Sequence, residues 1–249
     1  MHILILCAGL GKRLEHKTKN KPKCLVKVNK NTILGRLLGQ LSTVGVEKSK
    51  IILCSGYQKE KLPKDYLQIH NKLYASTNMV YTLMQAFTEL EELFLQKKET
   101  ALIIYGDCLY DINILKTIIK YDLIEEDIAL PIDKKWLEQW KLRYENPYED
   151  AETLIYKLDN NRLLNIGEKT FEPKDYMGQY MGIFKIKGDS LKLFVNEYKN
   201  LPELCRNKIS TTEFINLTLK KIHYKVIPTF YKWSEVDNLQ DLSIAESKF

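Results

Sequence analysis

The sequence predicts a three-layer α/β/α sandwich with a mostly parallel, mixed sheet and a small inserted antiparallel lobe. Apolar runs of strand length alternate with longer segments of helical period, the pattern of strands joined by helices that cover both faces of a sheet. Between about residues 136 and 188 that rhythm gives way to short alternating strands. The 249 residues, 45% hydrophobic and 28% charged, suffice for one full core. The chain therefore reads as a single domain over 1–249, with a core at 1–135 and 188–249 and a lobe at about 136–187.

The first strand is expected at 2–7. A helix follows, capped by Asn31 or Thr32, with Ile33, Leu34, Leu37, Leu38 and Leu41 on its apolar stripe and Gly45 past its end. Residues 51–54 form the next buried strand, closed by Ser55 and Gly56. Asn78 caps a second helix whose buried face holds Val80, Leu83, Met84, Phe87 and Leu90. Strands at 101–105 and 127–132 come next, and Asp107 sits just past the carboxyl end of the first of them, where open parallel sheets bind ligands. The lobe carries strands at 153–158 and 162–166 around an Asn160-Asn161 turn, and another at 179–186. Helices at about 190–198 and 211–222 and a strand at 225–227 lead back to the core.

Composition narrows the function classes. The five cysteines are odd in number and widely spaced, so neither a disulfide framework nor a zinc site is expected, and a reducing cytoplasm is the natural setting. The apolar N-terminus lacks a basic leader and runs straight into Gly11-Lys12-Arg13, as a buried strand does. No stretch reaches the ~18 to 20 apolar residues of a membrane span. The net charge of +6 comes from lysines scattered along the chain, so neither a nucleic-acid nor a membrane partner is expected.

The densest signal is Leu6-Cys7-Ala8-Gly9-Leu10-Gly11-Lys12-Arg13-Leu14, followed by Pro22-Lys23. Glycines alone would fit an ordinary strand-to-loop turn. With the cations beside them, they fit a backbone that approaches a triphosphate while Arg13 and Lys23 neutralise its charge. No Gly-Lys-Ser/Thr follows, which excludes a Walker loop, and Leu14 stands where a dinucleotide fingerprint needs its third glycine. Asp107 reads either as a helix cap or as a carboxylate at the mouth of the sheet. Glu235 and Asp237, two apart on an extended stretch, point the same way, or else form an exposed acidic turn.

This loop resembles the N-terminal motif of the sugar-phosphate nucleotidyltransferase superfamily, Leu-x-Ala-Gly-x-Gly-x-Arg-Leu with a following Pro-Lys; Cys7 stands where a small residue is usual. The resemblance implies a Rossmann-like fold, Arg13 on the β- and γ-phosphates, Lys23 on the α-phosphate, and Mg²⁺ held by Asp107 and Asp237. The segment 76–83 and the ending from Trp233 through Glu235, Asp237, Asn238 and Asp241 to Leu242 resemble the phosphocholine, aminoethylphosphonate and phosphoglutamine cytidylyltransferases, although Met79 and Thr82 depart from their pattern. The implied reaction joins CMP from CTP to a small phosphorylated amino compound and releases pyrophosphate. L-Glutamine phosphate, in capsule phosphoramidate biosynthesis, is the specific expectation. The nucleotide would contact Leu6, Ala8, Gly9, Leu10, Gly11, Lys12, Arg13, Lys23, Ser76, Asn78 and Asp107.

The lobe is expected to cover the acceptor, with Trp136, Trp140, Arg143 and Tyr180 joined by Trp233 and Glu235. Aromatic rings there can cage a cationic amine and Arg143 or Lys141 can take a carboxylate, while core packing accounts for the tryptophans equally well. A homodimer is compatible with the sequence. The alternatives are a phosphocholine or 2-aminoethylphosphonate acceptor, a sugar-1-phosphate nucleotidyltransferase using UTP or dTTP, and a non-catalytic nucleotide-binding subunit.

Overall fold

The computed structural model describes residues 1–170 and 172–249. Phe171, within the expected lobe, lies outside them. Eight strands build the main sheet: β1 (His2–Cys7), β2 (Ile51–Ser55), β3 (Leu67–His70), β4 (Ala101–Tyr105), β5 (Ile128–Asp133), β6 (Gln179–Tyr180), β7 (Ile183–Ile186) and β8 (Tyr224–Thr229). β3, β2, β1 and β4 pair in parallel, in that order, and β8 pairs in parallel with β5. β1, β2, β4 and β5 are buried at every position, which is why the sequence shows them as continuous apolar runs.

One expected element lies elsewhere. The strand expected at 179–186 within the lobe belongs to the main sheet, where β7 runs antiparallel between β4 and β5 and β6 pairs with β5 alone. The two halves flank Gly182, at φ +68, where a β-carbon would lie 2.7 Å from the Tyr105 ring. Alternation cannot tell a central antiparallel strand from one in a separate lobe. The separate antiparallel pair is Leu154–Tyr156 with Leu163–Ile166, around a turn in which Asn160 Oδ1 accepts the Arg162 amide at 3.0 Å.

Helices α1 (Ile33–Thr43), α2 (Met79–Glu89), α3 (Ile112–Lys120), α4 (Trp136–Arg143), α5 (Gly188–Lys199), α6 (Glu203–Lys208), α7 (Thr211–Thr218) and α8 (Leu239–Lys248) complete the fold. Thr32 caps α1 by accepting the Gly35 amide, and Asn78 caps α2 by accepting that of Met79. α3, α6 and α8 come in addition to the helices expected from sequence. Against the core of the main sheet stands a second apolar cluster that includes Leu14, Val26, Ile33, Leu109, Val236 and Leu242. It fastens α8 and the loop after β1 to each other. No helix among the described residues is long and apolar enough to cross a membrane.

Candidate active site

β1 and β4 lie side by side, so their carboxyl ends open onto one crevice. The chain leaves β1 through Ala8 and Gly9, and Gly11 then adopts φ +63, a conformation glycine takes without strain. Thr18 Oγ donates to the Gly11 carbonyl at 2.8 Å, and Leu14 buries itself in the second cluster. The loop is thus held from behind while Ala8 and Gly9 line the crevice. A short turn at Lys23–Leu25 brings Lys23 in from below, its side chain only 12% exposed.

On the other side, Cys108–Tyr110 pairs antiparallel with Trp233–Glu235, with Glu235 opposite Cys108, and the Val236 amide donates to the Asp107 carbonyl at 3.1 Å. This ribbon sets Asp107, Glu235 and Asp237 together: one ligand oxygen from each lies within 4.8 Å of the others. Lys23 Nζ donates to Asp107 at 2.6 Å and also to Asp237, which Arg13 reaches at 3.0 Å from a side chain that is 68% exposed.

Burial opposes the charge on Lys23, but Asp107 and Asp237 outweigh it and hold the ammonium well above its ordinary pKa. For Asp237, burial works against ionisation and Lys23 and Arg13 overcome it, so its carboxyl lies below the ordinary range. For Glu235 the opposing pull of Lys23 and Arg143 is too weak. Burial, then the charges of Asp237 and Asp107, push it up to about 8.

The first cavity, in front of this cluster, is lined by Leu6, Ala8, Gly9, Lys23, Asn78 and Asp107, all expected from sequence. It is also lined by Cys24, Tyr74, Thr77, Met79 and Thr82, which sequence reasoning missed; Thr77 neighbours the expected Ser76, which is exposed and turned to the Leu73 carbonyl. Leu10 and Lys12 lie on the outer side of the loop, beside a separate hollow with Glu15 and Tyr57. Gly11 supports the stem of Lys23 instead of lining the cavity.

A second cavity adjoins the first at Met79. Trp140, Tyr180, Trp233 and Glu235 line it as expected, joined by Asp150, Glu152, Thr211 and Thr212. Burial raises the Glu152 carboxyl above its ordinary pKa. Two of the expected acceptor contacts do not reach this cavity. Trp136 packs its ring against Trp140, Tyr148 and Tyr176 and spends its indole N–H on the Tyr176 carbonyl, so it is core. Arg143 is committed to Asp241, with Nε on one carboxylate oxygen at 2.7 Å and Nη2 on the other at 3.2 Å, which leaves no free fork for a substrate carboxylate. The partner stands too far along the chain for spacing to reveal it. What the cavity offers is carboxylate and aromatic surface, with no cation among its lining residues.

The family model of the MobA-like NTP transferase domain matches residues 3–169. A CTP:phosphoglutamine cytidylyltransferase of Campylobacter jejuni is 30% identical to this chain over the full length of both. The choline-phosphate cytidylyltransferase of Streptococcus pneumoniae is 29% identical across 62% of this chain and 64% of its own. Among solved structures, a putative glucose-1-phosphate thymidylyltransferase from Bacillus anthracis superposes with a TM-score of 0.76 at 16% identity, covering 100% of this chain and 94% of its own. The CTP:phosphocholine cytidylyltransferase from S. pneumoniae does so at 0.72 and 20% identity, covering 99% and 98%. These two likenesses establish the shared fold.

Proposed function

The chain belongs to the MobA-like NTP transferase family and is a nucleotidyltransferase; on that premise we propose that it transfers CMP from CTP to a small phosphorylated compound carrying an ammonium group. L-Glutamine phosphate is the first acceptor to test, because the phosphoglutamine enzyme matches the whole chain. The observation that carries the proposal is that two cavities adjoin at Met79, one beneath the Gly9 loop and lined by Lys23 and Asp107, the other walled by Asp150, Glu152, Trp140, Trp233 and Glu235.

CTP lies with its phosphates along the loop, and the acceptor places its ammonium against the carboxylates and rings of the second cavity. An acceptor phosphate oxygen then forms a bond to the α-phosphorus. The bond from that phosphorus to the bridging oxygen of the β-phosphate breaks, and its electron pair leaves with pyrophosphate. The acceptor phosphate is already anionic, so no residue is needed as a base. Arg13, largely exposed, neutralises the departing phosphates, and Lys23 releases its carboxylates to stabilise charge on the α-phosphate. Asp107, Glu235 and Asp237 fit Mg²⁺, since they offer clustered hard oxygen donors. When bound, the ion supplies charge neutralisation along the triphosphate.

The arrangement suits a protein of the cytoplasm, where CTP is available. Pyrophosphate release with each of four nucleoside triphosphates against glutamine phosphate, choline phosphate, 2-aminoethylphosphonate and glucose 1-phosphate tests the proposal. Turnover with CTP and an amino acceptor is expected. Turnover only with UTP or dTTP and glucose 1-phosphate would replace it with the sugar-nucleotide reading, and nucleotide binding without turnover of any pair would make the chain a non-catalytic subunit.

A further inference from the structure

The Arg143–Asp241 pair lies outside both cavities yet touches Trp140 and Asp150 of the second cavity's wall and Asp237 of the acidic cluster. Asp241 stands in the first turn of α8, where its own amide donates to the cap residue Asn238 at 2.9 Å. Its Oδ2 accepts the Asp237 amide at 3.0 Å, and the same oxygen receives Arg143 Nη2. Their side chains are 1% and 4% exposed. On its other side, the Arg143 guanidinium lies 5.1 Å from the Trp140 ring centre, and its Nη1, buried and without a hydrogen-bond partner among the described residues, is 3.8 Å from Asp150. Asp150 in turn accepts the Trp140 indole N–H at 3.0 Å.

An ordinary helix cap does not need a buried arginine delivered from another helix. Removing two charges from water costs as much as their attraction returns, so such a pair is a poor device for stability and a good one for fixing direction. The direction fixed here is that of Asp237. Its backbone amide is held by Asp241, its carboxylate projects toward Lys23, and the fork that locks Asp241 comes from the helix that also presents Trp140.

We propose that Arg143 and Asp241 are positioning residues, which aim the Asp237 carboxylate at the cation and join it to the acceptor wall. The inference rests on the transferase reading for its consequence in turnover, but not for its test in binding. Mn²⁺ serves as the probe, with binding followed by loss of the free-ion electron paramagnetic resonance signal and no acceptor present. In Asp241→Asn, Mn²⁺ affinity is expected to fall by ~10-fold or more, the scale of partners that orient metal ligands. In the turnover assay kcat falls with it, while the KM for CTP stays put. Arg143→Lys keeps the charge and loses the fork, and is expected to weaken Mn²⁺ binding in the same direction.

Circular dichroism and a thermal midpoint above the assay temperature identify folded variants. If Asp241→Asn does not fold, Arg143→Lys carries the test. A folded variant of either kind that binds Mn²⁺ as the parent does, with only its thermal midpoint lowered, would overturn the positioning role. Weakened Mn²⁺ binding in a chain that transfers no nucleotide would uphold it and sink the transferase reading instead.

Discussion

Val236 donates its amide to the carbonyl of Asp107 at 3.1 Å, and that bond brings a carboxylate from the end of a central strand beside two from a segment near the C-terminus. Three acidic groups so close repel one another, and Lys23 is the cation placed to relieve it. The same side chain therefore holds the site together before substrate arrives, and in the proposed reaction it goes on to act on the phosphate.

Lys23→Ala is expected to lower kcat by ~10² or more, the usual cost of losing a donor aimed at developing charge. CTP affinity should move far less, because Arg13 and the loop amides remain. Single-turnover rates beside equilibrium CTP binding check this; near-parental turnover would remove Lys23 from the chemistry.

Glu235 gives a pH prediction for the metal-free protein. Its folded pKa of about 8 lies above its ordinary value of 4.5, so the folded state binds this proton more tightly than the unfolded state. The stabilisation is fully present below the ordinary value and is lost as pH rises through the folded one. Melting in a chelator should show the midpoint falling over that window, and Glu235→Gln should flatten the fall. Identical curves for parent and variant would contradict the assignment.

The acceptor wall can be tested separately. Glu152→Gln should raise the KM for an amino acceptor by roughly ten- to a hundredfold, the value of about 1.5 to 3 kcal/mol for a hydrogen bond to a charged group, and leave the KM for CTP alone. Because burial holds the Glu152 pKa above the ordinary range, the parent's kcat/KM for the acceptor should climb as that carboxyl ionises, and the variant's should not. Equal profiles would show that Glu152 does not meet the ammonium.

Gly11→Ala probes the loop from behind. A β-carbon there would lie 3.0 Å from the Thr18 methyl and 3.1 Å from Lys23 Cβ, on a backbone at φ +63. Stability should drop by about 1 kcal/mol, while kcat drops further as Lys23 is pushed out of line. Urea denaturation beside steady-state kinetics separates the two, and an unchanged kcat would mean that the stem of Lys23 yields freely.

How much of this was legible in the sequence depended on distance along the chain. The loop of Gly9, Gly11, Arg13 and Lys23 could be read because a strand, its turn and its cations are contiguous. Asp107 and Asp237 were found by their places after a strand and within an acidic ending. Arg143 reads from the sequence as an acceptor contact because it stands one turn beyond Trp140; the partner that claims it lies on α8, and only the fold brings the two together. Asp150 and Glu152 have no place in the sequence reading, because the cavity they line is assembled from segments far apart along the chain. The cap signal of α8, Asn238 followed three residues later by Asp241, stands in the sequence inside the same acidic ending that carries Glu235 and Asp237.

The place of β7 between β4 and β5 bears on how this chain is made. As it emerges in order, the strands of residues 101–105 and 128–133 are complete long before residues 183–186 arrive to join them. Until then the future centre of the sheet is an unfilled gap with two unpaired apolar edges, the kind of surface on which newly made chains stick to one another. Closing the gap also seats Gly182 against Tyr105, both of which line the second cavity, so part of that cavity's wall forms in the same event that unites the two halves of the molecule.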